Sequence, residues 1–191
     1  MKKTIAFIDA ANIIYGAKKE AGFKVDLKKM AKYLKTRFNT TVIYFYGGVN
    51  TKKISFEKYQ KMLTRFGFQP RLKKVKFYRQ KPKMRVFTCR FCGKRNKIKQ
   101  RAEIRAKANC DVDLTVDVLK NLERFDRFIF LTGDGDFEPL IKKAKDLKKE
   151  IYIIASSRKT ARSIKKLAAG KFIEIKSLKK IIAKEKRRRH F

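Results

Sequence analysis

Residues 127–137 read RFIFLTGDGDF. After Arg127, the residues Phe128, Ile129, Phe130 and Leu131 are large and apolar, and the run is cut off by Thr132 and Gly133. Such a short apolar stretch bounded by turn residues is the pattern of a strand buried on both faces, as in a parallel sheet. Two carboxylates, Asp134 and Asp136, follow immediately in a glycine-containing loop whose backbone can turn tightly. Working outward, Phe137–Lys148 has helical spacing and IYII at 151–154 is the next strand. Upstream, Asp111–Leu122 is helical. The same alternation opens the chain: KTIAFI at 3–8 reads as a strand ending in Asp9, and the residues after Asn12 turn helical. Leu27, Met30, Ala31, Leu34 and Phe38 then mark one helix face, and TVIYFY at 41–46 is a second strand. A helix over 54–66, an extended basic segment over 71–79, a helix over 160–169, a short run over 171–175 and a basic helix from Leu178 complete the pattern. Alternation of this kind predicts an α/β domain with a central, mainly parallel sheet between helical layers.

Charge narrows the function. Of 191 residues, 53 are Lys or Arg and 17 are Asp or Glu, a formal net charge of +36, while a 43% hydrophobic content still suffices for a real core. A chain this basic attracts polyanions and releases their counterions on binding, so nucleic acid is the expected partner. An anionic membrane surface is the competitor, but no apolar run approaches the roughly 18 residues of a spanning helix. The first residues, MKKTIAFIDAANIIYG, are interrupted by Asp9 and Asn12 and read as a strand rather than a signal peptide. Three cysteines do not form a secreted disulfide framework, and we expect a cytoplasmic protein.

Against that background, acids gathered at strand ends require an explanation. Asp9 with Asn12, Asp134 and Asp136 fall at the carboxyl ends of predicted strands, where open α/β sheets collect ligands. Asp111 and Asp117 enter from the preceding helix, and Asp113 shares a helix face with Asp117. Crowded carboxylates raise one another's proton affinity unless a hard cation neutralises them, and Mg²⁺ or Mn²⁺ would do so while accepting phosphate oxygens. Each acid also has an ordinary explanation. Asp9 and Asp111 could cap helices, and Asp117 could pair with Lys120 or Asn121. Their joint occurrence in this order favours a site. The only histidine, His190, stands in the terminal KEKRRRHF, which excludes a two-histidine ribonuclease chemistry.

The segments IAFIDAANI at 5–13, CDVDLTVDVL at 110–119 and FIFLTGDGDFEPLI at 128–141, followed by the stretch 154–175, resemble the NYN domain of the PIN-like nuclease superfamily. The resemblance implies a PIN-like Rossmannoid three-layer domain over 1–182 and metal-dependent cleavage of RNA at an acidic pocket. It places the pocket at Asp9, Asn12, Asp111, Asp134 and Asp136, with Asp117 as a further acid and Mg²⁺ or Mn²⁺ as the cofactor. Ala108-Asn109-Cys110-Asp111 stands where the family has K-G-x-D, keeping only the aspartate.

The chain departs from a minimal domain at about 80–107, where MRVFTCRFCGKRNKIKQRAEI (84–104) carries Cys89 and Cys92. One Cys-x-x-Cys is half a zinc ribbon, and a tetrahedral site needs four ligands. Two copies could complete it across a homodimer, Cys110 could add a third thiolate, or the segment could be a plain hairpin. With or without zinc, Arg90, Lys94 and Arg95 beside Phe87 and Phe91 could grip RNA phosphates and stack on bases. Arg187, Arg188 and Arg189 in the basic tail, 183–191, are expected to add salt-sensitive phosphate contacts. The principal function expected is a metal-dependent endoribonuclease. The alternative is a non-catalytic RNA-binding module on the same scaffold.

Overall fold

The computed structural model describes residues 2–79, 81–82, 84–99, 104–168 and 170–185. Six strands make one wholly parallel sheet: β1 (Thr4–Asp9), β2 (Thr40–Val49), β3 (Gln69–Lys74), β8 (Arg127–Leu131), β9 (Glu150–Ala155) and β10 (Phe172–Glu174). Their order is β10-β9-β8-β1-β2-β3. The chain therefore builds outward from β1 in one direction and later from β8 in the other, so the order reverses between these two strands. Their carboxyl ends form the crevice in which open α/β sheets bind ligands.

Alternation along β1 feeds two cores. Ile5 and Phe7 point to one face, where they meet Phe128, Phe130, Leu114 and Val118. Ala6 and Ile8 point to the other, against Ile13, Met30, Leu34 and Phe45. This explains the unbroken apolar run KTIAFI: a strand covered on both sides has no polar face to present. The second layer is α1 (Ala10–Lys19), α2 (Leu27–Phe38) and α3 (Phe56–Arg65), and the third is α4 (Asp111–Asn121), α5 (Glu138–Asp146) and α6 (Arg162–Ala168). The three-layer expectation is borne out.

One local reading gains detail and another is revised. The basic segment 71–79 is β3 followed, after Val75, by β4 (Lys76–Arg79), which pairs antiparallel with β7 (Ile104–Lys107) as the base of an arm. The outer part of that arm is β5 (Met84–Thr88) against β6 (Arg95–Lys99), joined by the Cys89–Cys92 turn. The basic helix from Leu178 is shorter than its charge pattern implies. A 3₁₀ turn over Ile175–Leu178 leads into a single turn, α7 (Lys179–Ile182), which buries Ile182. The chain is extended at Ala183, where it bridges to Val25.

At the amino-terminal edge of the sheet, Glu150 accepts hydrogen bonds from Lys171 Nζ (2.7 Å), Arg127 Nε (2.8 Å) and Lys2 Nζ (3.0 Å). Burial alone would raise its carboxyl, but these three cations, Lys171 foremost, hold it down at about 2. A carboxylate more acidic folded than unfolded stabilises the fold above its ordinary value of 4.5, and that contribution is lost as pH falls toward 2. Glu150→Gln is expected to cost about 2 kcal/mol at neutral pH, discounted from the full linkage value for solvent screening of the cations. Urea titrations should show the gap to wild type closing as pH falls from about 5 toward 2; a pH-independent gap would contradict this account.

Candidate functional site

The parallel register sets the site. Ile8 lies opposite Leu131 on one side and Asp9 opposite Tyr46 on the other, so the residues leaving β1, β2 and β8 are neighbours. Asp9 ends β1 and caps α1, its Oδ1 accepting from the Asn12 amide at 3.1 Å. Its Oδ2 accepts from the Thr132 hydroxyl (3.2 Å), and Thr132 Oγ1 accepts in turn from the Asp134 amide (3.2 Å). Asn12 Oδ1 accepts from the Gly133 amide (3.1 Å), tying α1 to the loop after β8. Asp9 is therefore a helix cap, and the cap fixes where its carboxylate stands.

Gly133 is required by contact rather than by φ. A Cβ there would lie 2.4 Å from Thr160 Oγ1 and 3.0 Å from Thr160 Cα. The loop thereby sits directly on the 156–161 turn, and Ala161 donates its amide to Gly133 O (3.1 Å).

Asp9, Asn12, Asp111 and Asp134 line one cavity of about 390 Å³, rimmed by Tyr46, Lys107 and Asn109. Asn109 Oδ1 accepts from the Asp111 amide at 2.8 Å and shapes the start of α4. Burial pushes the Asp9 carboxyl above its usual range; the Asn12 and Thr132 hydrogen bonds oppose this, and the charges of Asp111 and Asp134 add to it. Two acids from distant segments therefore act on Asp9. As the side chains stand, no group of three or more His, Cys, Asp or Glu closes into a metal-holding cluster among the described residues.

The other sequence candidates lie apart from this cavity. Asp136 is exposed in the 3₁₀ turn over Gly135–Phe137, where its amide donates to Asp134 Oδ1 at 3.1 Å, so Asp134 caps the turn. Asp117 is six residues beyond Asp111, about 120° away around the helix at 100° per residue. Its carboxylate accepts from the Tyr46 hydroxyl (2.9 Å) and from Arg71 Nε (3.0 Å). Burial, reinforced by Asp117, raises the Tyr46 phenol, so it stays a donor. Asp113 pairs with Lys73, which also donates to Asn109 O at 3.0 Å. Tyr46, Arg71, Lys73 and Lys107 were not singled out by sequence. Each is one basic or aromatic residue among many, and only strand order brings it to the site.

In the arm, every residue of β5 and β6 is exposed. Cys89 donates its amide to Lys94 O (2.9 Å) and accepts from Gly93 (3.0 Å), which takes the left-handed φ of +67° that this tight turn needs. The Cys92 and Phe91 amides lower the Cys89 thiol below its ordinary value. Arg90, Lys94 and Arg95 are exposed around this turn. Cys110 does not join the pair. It is buried at the head of α4, facing Gly47 O and Arg71 O at 3.9 and 3.8 Å. Arg187, Arg188, Arg189 and His190 lie outside the described residues. Among the described residues no helix is long and apolar enough to cross a membrane.

An open parallel sheet with carboxylates lining a cavity at its switch point defines a Rossmannoid α/β protein. The family model of the NYN domain matches residues 3–176, and the chain belongs to that family. It is similar to the low amplitude and bright protein LabA of Synechococcus elongatus, with 23% identity over 183 residues that cover 95% of this chain and 88% of LabA. It also shares its fold with a protein of unknown function from Vibrio parahaemolyticus, seen in a crystal structure. There the TM-score is 0.65 at 20% identity, over 91% of this chain and 93% of that one. Family membership carries a nuclease-type, RNA-related function, and such domains generally use divalent ions such as Mg²⁺ or Mn²⁺.

Proposed function

We propose that this chain is a metal-dependent ribonuclease, acting as an endoribonuclease, with Asp9, Asp111 and Asp134 as its metal-holding acids and Asn12 beside them. The observation that carries the reading is that these three carboxylates come from separate segments and line one cavity at the switch point, where burial first, and then the charges of Asp111 and Asp134, raise the proton affinity of Asp9. An all-oxygen donor set of this charge suits a hard cation and no soft one. A bound Mg²⁺ or Mn²⁺ would offset the acids, polarise a phosphodiester and make an attacking water more acidic. The protein's part is positioning. Asn12 and Thr132 hold Asp9 in place, and with its oxygen engaged by Gly133, Asn12 keeps its two amide N–H groups as donors for a phosphate oxygen. Lys107 on the rim adds positive charge where RNA enters. Asp136 is the outer acid of the set, and Asp117 supports the wall through Tyr46 and Arg71.

The test is cleavage of labelled single-stranded and structured RNA with Mg²⁺ or Mn²⁺ against EDTA. Internal cuts that require the metal support the reading. Tight binding without cleavage, on both substrates and with both ions, would replace it with a non-catalytic RNA-binding module, to which the loss of K-G from the K-G-x-D pattern would then belong.

The unit we assign to this activity is 1–182, with the 80–107 arm carried as an insertion and 183–191 as a basic tail. Free cysteines fit a reducing compartment, and we place the protein in the cytoplasm. The Cys89–Cys92 turn holds two thiols close in sequence, and the Cys92 and Phe91 amides favour the thiolate at Cys89, as a zinc ligand needs. With Cys110 in the core, four thiolates are reached by two copies, so the arm would bridge a homodimer through one Zn²⁺. Protein purified without chelator should then carry about half an equivalent of zinc per chain and run as a dimer that Cys92→Ser makes monomeric. A zinc-free monomer would refute the bridge.

A further inference from the structure

Asn12 and Asp134 line a second cavity as well, of about 700 Å³, on the side away from Asp111. That size lies within the roughly 300–1,000 Å³ of small-ligand sites. One wall is the outer face of α1, where Asn12, Tyr15 and Lys19 follow at helical spacing while Ala10, Ile13 and Ala17 are buried on the other face. The opposite wall is the 156–161 turn, with Arg158 and Lys159.

Tyr15 is 60% exposed, and a lone exposed aromatic carries little meaning. Its surroundings give it one. The Lys19 ammonium sits 4.5 Å from the ring centroid, so a cation already accompanies the aromatic. The facing turn is held in place by Thr160, which donates to Ser156 O at 2.7 Å, and by Ser157, which donates its amide to Glu174 Oε2 at 2.7 Å. Its contact with Gly133 gives Arg158 and Lys159 a fixed offset from Asp134. Lys159 reaches Glu20 only at 4.0 Å and is 70% exposed, an ion pair weak enough to exchange for a phosphate. An exposed aromatic and solvent-facing cations lining one cavity, with Asn12 and Asp134 shared with an acidic pocket, is an arrangement suited to a single-stranded nucleotide.

We propose that this cavity is a nucleotide subsite: it takes the RNA nucleotide next to the phosphate held at the acid-lined cavity, with the base stacked on Tyr15 and that nucleotide's own phosphate on Arg158 and Lys159. The assignment rests on the ribonuclease reading for its neighbour but makes a separate claim about binding. Stacking uses the π-face that every base has, so the subsite selects unpaired RNA over duplex and tolerates any base.

The experiment is fluorescence anisotropy of short labelled single-stranded RNA in EDTA, so that cleavage plays no part. Wild type is compared with Tyr15→Ala, Tyr15→Phe and Arg158→Ala, on intact RNA and on RNA carrying one abasic position moved along the strand. Tyr15→Ala should weaken binding about 5- to 150-fold while Tyr15→Phe keeps it. One abasic position should cost wild type a similar factor and cost Tyr15→Ala nothing further. Wild-type affinity in Tyr15→Ala, an abasic penalty that persists without Tyr15, or a wild-type chain that binds no RNA would each overturn the subsite. If Tyr15 and the base are coupled but no metal-dependent cleavage exists, the ribonuclease reading fails and the subsite stands.

Discussion

Asp134→Asn is expected to lower metal-dependent RNA cleavage by about 10²–10³-fold while leaving RNA affinity in EDTA unchanged or slightly tighter. The substitution is nearly isosteric. The side-chain oxygen that accepts from the Asp136 amide survives, and so does the Thr132 contact to the backbone amide of residue 134. What disappears is one negative charge from a cavity in which Asp134 and Asp111 both raise the Asp9 carboxyl. Removing it relieves repulsion, so the fold should be at least as stable, and a thermal melt on the same sample separates lost chemistry from lost structure. Asp9→Asn should be as damaging to cleavage but less benign to the fold, because Asp9 also caps α1. Undiminished cleavage by the Asp134 variant would remove this cavity from the reaction.

The second large effect is on binding. With a net charge of +36, RNA affinity should fall by about 10³-fold between 50 and 200 mM salt if some eight phosphates of a single strand are neutralised. Replacing Arg90, Lys94, Arg95 and Lys97 of the exposed arm by Gln should flatten the log–log salt slope by about 0.7 per charge. These side chains support no core, since the strands around them are exposed throughout, so stability should be unaffected. An unchanged slope would mean that the arm does not touch RNA. Cleavage of bound RNA should persist in this variant, because the arm's cations are distinct from the acids.

Much of this was legible in the chain. KTIAFI, TVIYFY and RFIFL are continuous apolar runs because each is sandwiched between two helical layers, and a fully buried strand leaves that trace in any window. The acids at the ends of the first and third of these runs could be assigned to the crevice side because in an all-parallel sheet every strand's carboxyl end lies at the same edge. The tail was less legible: lysines continue past Leu178 whether or not the helix does, and burial of Ile182 with the bridge at Ala183 ends it early. The arm's start at Lys76 was also hidden, since exposed strands in a basic segment carry no two-residue alternation.

By itself the sequence determined the layered α/β class, the identity of the strand-end acids and a net charge of +36 that favours polyanions, since all three follow from local periodicity and summed charge. Only the tertiary structure decided which acids share a cavity. Asp111 and Asp117 have the same chemistry on the same helix. The rotation of α4 gives one to the pocket with Asp9 and Asp134 and the other to Tyr46 and Arg71. It likewise decided that Asn12 and Asp134 line two cavities and that Tyr15 shares the second with Arg158 and Lys159. Strand order and register bring together residues more than a hundred positions apart, and no pattern confined to a local window contains that information.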